Sequence, residues 1–378
     1  MHGPHSNTPA GKLRARGAGI PFLGQPGDAN AITDVAGVEV GYCTLISGEG
    51  PLVVGEGPVR TGVTAIFPLG RARGTGMVFS GFFSMGGNGE MSGAHLVVER
   101  GRFEGPITLT NTHSCGVARD TTARWLTEQV DVELRPEPFW MPVAGETYDG
   151  GLNDINGHHV KPEHVVAAFD DARSGSIEEG SVGGGTGMST YQFKSGSGTA
   201  SRLLEVDGDS YCVGAFVQAN FGKRHLIQIA GIPMGEAFSS DDESLAEAES
   251  GRGSIIGIVA TDAPLLPHQL DRLARRASYG IARSGGIASN ESGDLFLAFS
   301  TANQETIGVH RGTANLTCIG EGELSPFYEV AIQAMDEAII NSMVANETMV
   351  GRDNRVVPGL PLEQVKDILR QHNRLIEQ

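Results

Sequence analysis

The chain has 378 residues, 28 of them basic and 45 acidic, for a formal net charge of −17. That excess of negative charge argues against nucleic acid or an anionic membrane as the main partner. No apolar run reaches the roughly 18 residues a membrane-crossing helix needs, and Cys43, Cys115, Cys212 and Cys318 form no CxxC pair that would suggest zinc or redox chemistry.

The first 25 residues are polar and read as a flexible arm. Met1 to Gly19 lacks an apolar stretch of the secretory kind, which gives the expectation of a cytoplasmic protein. From Ala31 to about Phe103, short β-like runs alternate with glycine turns: Val35–Val40, Leu52–Gly55, Thr64–Phe67, Met77–Phe79 and His95–Val98. Pro106–Asn111 reads as a strand, Thr121–Val130 as a helix and Val143–Asp154 as a polar loop. Lys161–Ala172 reads as a helix with Pro162 near its start. Gly180–Gly187 is a glycine loop, and Tyr211–Asn220 and Leu226–Ile232 read as paired strands. Beyond Ser254, the pattern predicts helices over Pro267–Arg283, Ser325–Asn346 and Leu362–His372, with a strand at Asp294–Ser300. Strands between helices of this kind predict a layered α/β protein.

One junction stands out chemically. An acidic stretch from Glu236 to Glu249 runs into Ser250-Gly251-Arg252-Gly253-Ser254, and Ser254 opens the β-branched run Ile255-Ile256-Gly257-Ile258-Val259. A hydroxyl on the first strand residue can attack the carbonyl before it, and Gly253, without a Cβ, tolerates strained backbone. The product would be an N-terminal serine, with a nucleophile and an α-amine base on one residue. An ordinary loop-to-strand junction uses the same residue types.

Three further clusters could serve chemistry, and each could also be a plain turn. Glu146 and Asp149 in Gly145-Glu146-Thr147-Tyr148-Asp149-Gly150 could bind a substrate ammonium, and Tyr148 could donate to an oxyanion. Asn220 ends an apolar run, where a side-chain amide suits an oxyanion hole. Ser292 and Asp294 lie two apart before a strand and could relay a hydrogen bond to a nucleophile. Gly183–Gly187 lacks the Gly-Lys-Ser/Thr of a phosphate loop, and His158, His159 and His164 do not follow His-Glu-x-x-His. A lone His113 beside a strand end reads as structural.

In order along the chain, five segments together resemble the L-aminopeptidase/D-esterase-amidase family, which includes the β-peptidyl aminopeptidases. They are Asn30–Tyr42, Asn111-Thr-His-Ser114, Gly145–Gly150 with Leu152-Asn-Asp154, Val217-Gln-Ala-Asn220, and Gly253–Leu266. The resemblance implies a four-layer αββα sandwich like that of N-terminal-nucleophile hydrolases, with its own connectivity. It implies autocleavage at Gly253–Ser254 into an α-chain (26–253, after the arm) and a β-chain (254–378) of one domain. These would remain associated in a homo-oligomer, a tetramer of heterodimers. No metal or organic cofactor is implied.

By the same resemblance Ser254 is the nucleophile, Tyr148 and Asn220 line the oxyanion site, Glu146 engages the substrate's free amine, and Ser292 and Asp294 hydrogen-bond the nucleophile. The β-peptidyl members carry glutamate where this chain has the shorter Asp294. The base stays open between the Ser254 α-amine and the Ser292–Asp294 relay. The expected activity is release of the N-terminal residue from short peptides, amides or esters, with D-residues or β-amino acids within the family's range. The competing expectations are an acyltransferase of related fold, such as the ornithine acetyltransferases, and a non-catalytic binding scaffold.

Overall fold

The computed structural model describes residues 3–131, 133, 138–238, 253–308 and 312–377. Residues 239–252, most of the acidic stretch read before Gly253, lie outside the described residues.

The strands in chain order are β1 (Glu39–Ser47), β2 (Val59–Phe67), β3 (Met77–Gly87), β4 (Arg102–Glu104), β5 (Ile107–Asn111) and β6 (Val143–Thr147). Then come β7 (Ser189–Thr190), β8 (Phe193–Lys194), β9 (Ser197–Val206), β10 (Asp209–Asn220), β11 (Gln228–Ile229), β12 (Ile232–Pro233), β13 (Ser254–Thr261) and β14 (Gly293–Ser300). The helices are α1 (Ala94–Arg100), α2 (Cys115–Glu128), α3 (Pro162–Asp170), α4 (Pro267–Ala277), α5 (Tyr279–Arg283), α6 (Leu324–Val344) and α7 (Leu362–Gln371).

The two large sheets have the orders β1-β2-β5-β6 and β4-β3-β14-β13-β10-β9, beside three two-stranded ladders among the described residues. Each large sheet contains a single parallel pair, β5 with β6 and β13 with β14. A parallel pair needs a crossover, and helices supply both: α2 in the first sheet, α4 and α5 in the second. The faces between the sheets are apolar, with Ile66, Leu109 and Val143 in one cluster with Phe216, Ile256, Ile258 and Leu297. The outer face of the larger sheet packs Val217, Ile255 and Phe296 with Leu270 and Leu273 of α4 and Ala334 and Met335 of α6. The outer face of the smaller sheet packs Val63, Ala65 and Phe67 with Trp125, Val165 and Phe169. With both faces covered, β13 is apolar and buried along its whole length, which is why it reads as a continuous run rather than an alternation. Helix, sheet, sheet, helix is the expected four-layer order.

The packing is close enough to require glycine. A Cβ on Gly198 of β9 would collide with the Ala338 carbonyl of α6, and one on Gly81 of β3 with the Asp271 backbone of α4.

Several elements differ from the sequence reading. His95–Val98 lies in helix α1 and not in a strand. Its neighbours Gly93 and Gly101 both take left-handed backbone and bound a short helix. The polar segment from Val143 begins with β6, all five residues buried. Tyr211–Asn220 pairs with β9 and β13, while Leu226–Ile232 holds only the small β11–β12 ladder. Residues read as a flexible arm are tied down instead. Ala15, Ala18 and Ile20 join the main core, and Arg14 is buried against Glu179 at 2.8 Å. Arg16 reaches Glu337 at 2.7 Å.

Candidate active site

The two central strands of the larger sheet set the site. In the β10–β13 ladder Asn220 lies opposite Ser254, and in the β13–β14 ladder Gly293 lies opposite Ser254 on the other side. Directly opposed residues share a face of the sheet, so the Asn220 amide and the Ser254 hydroxyl point into the same space, toward the smaller sheet. Ser254 is buried, and its Oγ has no hydrogen-bond partner among the described residues. Buried polar groups are almost always bonded, so this hydroxyl is free to engage a ligand or the carbonyl next to it.

The Asn220 amide is held at both ends. Its Oδ1 accepts from the Ser189 N–H at 3.0 Å, and its Nδ2 donates to the Tyr148 carbonyl at 2.9 Å. One Nδ2 hydrogen then remains for a ligand oxygen. The Tyr148 ring turns back over Gly150, where a Cβ would collide with the tyrosine hydroxyl.

On the β14 side the Ser292 hydroxyl donates to Asp294 Oδ1 at 2.7 Å. Burial pushes the Asp294 carboxyl up to about 6, against the opposing pull of the Ser292 hydroxyl and the Ile255 N–H. The pair flanks the Gly253–Ser254 bond: a Cβ on Gly253 would stand 3.1 Å from Ser292 Oγ. The Gly253 carbonyl accepts from the Gly293 N–H at 3.0 Å. In this arrangement Ser292 bonds Asp294, and Ser254 Oγ bonds neither.

Glu146 enters from β6 of the facing sheet. Its Oε1 accepts from the Glu90 N–H at 2.8 Å, and its Oε2 accepts from the Thr112 hydroxyl. Gly89 brings it near the other groups, since a Cβ there would lie 3.1 Å from Gly293 Cα and 3.3 Å from Glu146 Oε1. Burial raises the Glu146 carboxyl above its ordinary value, Thr112 and the Glu90 N–H pull it down, the Glu90 carboxylate raises it and His113 lowers it. A cation arriving at Glu146 would find a desolvated carboxylate with no cationic partner bonded to it among the described residues.

Asp149 does not join Glu146 at an ammonium subsite. It is fully buried, accepts from Asn153 Nδ2 at 3.0 Å, and is pushed by burial up to about 7 against the pull of Thr61, Asn153 and Asn111. The histidines also separate. His159 pairs with Asp154 at 2.8 Å, and His113 stacks on His158 with centroids 5.7 Å apart. No group of three His, Cys, Asp or Glu able to hold a metal occurs among the described residues. Thr112, Glu90, Gly89 and Ser189 were not singled out from sequence. Thr112 alone had a signal, as part of the Asn111-Thr-His-Ser114 segment.

The constellation therefore offers a buried hydroxyl unbonded among the described residues, a fixed amide donor, a Ser–Asp pair beside the bond preceding that hydroxyl, and a desolvated carboxylate of β6 next to Gly89. The chain is similar to known peptidases along nearly its whole length. Peptidase family S58 matches residues 30–357. Beta-peptidyl aminopeptidase BapA of Sphingosinicella microcystinivorans is 48% identical over 373 residues, covering 96% of this chain and 93% of that protein. The L-aminopeptidase D-Ala-esterase/amidase of Ochrobactrum anthropi, described as a prototype serine aminopeptidase and a variant of the Ntn hydrolase fold, is 44% identical with a TM-score of 0.89, covering 96% of this chain and 99% of that one. A β-aminopeptidase from Burkholderia sp. is 42% identical with a TM-score of 0.84, covering 95% and 99%.

Proposed function

The chain belongs to peptidase family S58, and we propose that it is a self-processing serine aminopeptidase whose nucleophile is Ser254. The observation that carries this reading is the Ser254 hydroxyl, buried, unbonded and opposite a fixed amide at the head of a central strand.

In processing, Ser254 Oγ adds to the Gly253 carbonyl carbon. The Gly253–Ser254 C–N bond breaks, the amide becomes an ester, and the hydroxyl proton ends on the freed α-amine. Water then cleaves the ester, giving a Gly253 carboxylate and an N-terminal Ser254. In turnover the same Oγ attacks the carbonyl of a substrate's first residue, and the amine or alcohol leaves with a proton. Water releases the acyl group as the free amino acid. The Asn220 amide and the Tyr148 hydroxyl stabilise the oxyanion, a role in which fixed donors are worth several kcal/mol. The general base is the Ser254 α-amine, which ordinarily titrates at about 7.7–8.0, or Asp294 through Ser292. Glu146 takes the substrate's ammonium, which restricts cleavage to the terminal residue.

The names of the similar proteins favour β-amino acid, L-residue and D-alanyl ester or amide substrates. We also propose that the two pieces assemble as a homo-oligomer. Acyl transfer to a second amine is not favoured, because the comparisons lead to peptidases. No helix among the described residues is long and apolar enough to cross a membrane.

The test is the intact mass of denatured wild type and Ser254→Ala, with hydrolysis of a β-alanyl p-nitroanilide alongside. Two wild-type fragments divided at Gly253–Ser254, an uncut variant and a wild-type activity lost in Ser254→Ala are expected. A wild type that stays in one piece and is inert would overturn the reading and favour a binding scaffold.

A further inference from the structure

Lys194 has no part in the chemistry above and is fully buried. Its Nζ donates to the Met188 carbonyl at 2.9 Å and the Ser195 carbonyl at 2.5 Å, and among the described residues it meets no carboxylate. Burial holds its amine well below the ordinary lysine value, with Lys12 adding repulsion. An apolar residue would fill this space without the desolvation cost, so the donors are what the lysine contributes.

Those donors lead to the site. The Met188 carbonyl and the Ser189 N–H belong to one rigid peptide plane. Lys194 donates to the carbonyl of that plane, and the plane's N–H donates to Asn220 Oδ1 at 3.0 Å. Asn220 Nδ2 donates onward to Tyr148 O, which leaves one Nδ2 hydrogen for a ligand at the position opposite Ser254 in the ladder. Donation into one end of such a chain strengthens the donors further along it. The Met188 side chain is pinned as well: Thr147 Oγ1 donates to its Sδ at 3.0 Å, and Gln218 donates to Thr147 at 2.7 Å.

We propose that Lys194 is a positioning residue for the oxyanion donor: through the 188–189 peptide it fixes and polarises the Asn220 amide that faces Ser254. This rests on the role given to Asn220 above.

The experiment compares Lys194→Met, Lys194→Gln, Asn220→Ala and the double variant Lys194→Met/Asn220→Ala. Rates are expressed per processed chain, with the processed fraction taken from intact mass, and the affinity of a 1-aminoalkyl boronic acid as tetrahedral mimic is measured for each. Lys194→Met is expected to lower kcat about tenfold and weaken the boronic acid about equally, with KM within about twofold. Lys194→Gln, which keeps an N–H donor, is expected to recover to within about threefold. In the Asn220→Ala background the lysine change is expected to cost less than about twofold, since both act on one group. A wild-type kcat in Lys194→Met, losses that multiply in the double variant, or failure of both Lys194 variants to fold overturns the proposal; the last assigns the residue to the core alone. Full kcat in Asn220→Ala overturns the role of Asn220 itself, which separates that failure from a failure of Lys194 alone.

Discussion

Two buried polar clusters in this molecule use similar residues to opposite ends. Around Glu337, Arg202 stands 2.6 Å away, Arg16 2.7 Å away, and Asn30 Nδ2 donates at 2.6 Å. Burial pushes the Glu337 carboxyl up, but Arg202 and Arg16 with Asn30 outweigh it, and it settles below its ordinary value. Glu179, burdened by the same burial and offset by Arg14, stays above its ordinary value. Around Ser254, burial dominates throughout: Glu146, Asp149 and Asp294 are all raised, and the serine hydroxyl has no partner among the described residues. Glu337 is held by cations, whereas Glu146 and Asp294 are held by neutral hydrogen-bond donors.

The sharpest way to break that contrast is Asn220→Ala. Loss of one fixed oxyanion donor is expected to lower kcat about 10²–10³-fold, with a stability loss of only about 1–3 kcal/mol from the Ser189 N–H and Tyr148 carbonyl that Asn220 leaves. A variant that melts early and turns over normally would place Asn220 in the structural class. Next, Glu337→Gln in the uncut Ser254→Ala background is expected to lose about 3 kcal/mol in urea denaturation, because the buried Arg202 and the partly exposed Arg16 lose their counter-charge. The same change in a processed enzyme is expected to leave kcat within about twofold. Glu146→Gln is a milder change: KM for substrates with a free amine is expected to rise at least about tenfold with kcat nearly held. Equal KM values for the variant and the wild type would remove Glu146 from amine binding.

A further effect is one of pH. Asp149 is raised to about 7 in the fold, while an unfolded aspartate titrates near 3.9. Between about pH 4 and 7 the native state therefore holds more protons than the unfolded chain, so this residue makes stability fall as pH rises through that window. Asp149→Asn removes that contribution, and its midpoint relative to wild type is expected to climb from pH 4 to 7 and then level off. Glu337 has the opposite sign: its contribution is full above the unfolded carboxyl value and fades as pH falls toward its lowered native one. Parallel midpoint-versus-pH curves for wild type and Asp149→Asn would contradict the raised carboxyl.

The sequence showed most where one local pattern was enough. The β-branched run after Ser254 and the proline-led helix at Pro267 formed as expected, because burial on both faces and helix entry are local signals. The Glu146 segment was misread as a loop because its polar groups are satisfied by Thr112 and the Glu90 backbone, which lie far away in sequence. The N-terminal residues looked flexible for the same reason: Arg14 and Arg16 find Glu179 and Glu337 across more than a hundred residues. Ser254, Tyr148, Asn220, Glu146, Ser292 and Asp294 were recognisable as a set only through family resemblance; the structure brings Asn220, Ser292 and Asp294 to the Ser254 end of β13. Lys194 left no mark in the sequence, since a lysine after Phe193 in a short strand reads as exposed.

The order of the larger sheet has a consequence for subunit exchange. Strands β13 and β14, which follow Ser254, are inserted between β10 and β3, which precede it, with eight residue pairs on each side. A cut before Ser254 would thus leave two polypeptides woven through each other, and neither could depart without opening both ladders. Isotope-labelled and unlabelled enzyme, mixed after processing, should never yield hybrids of one light and one heavy piece short of global unfolding.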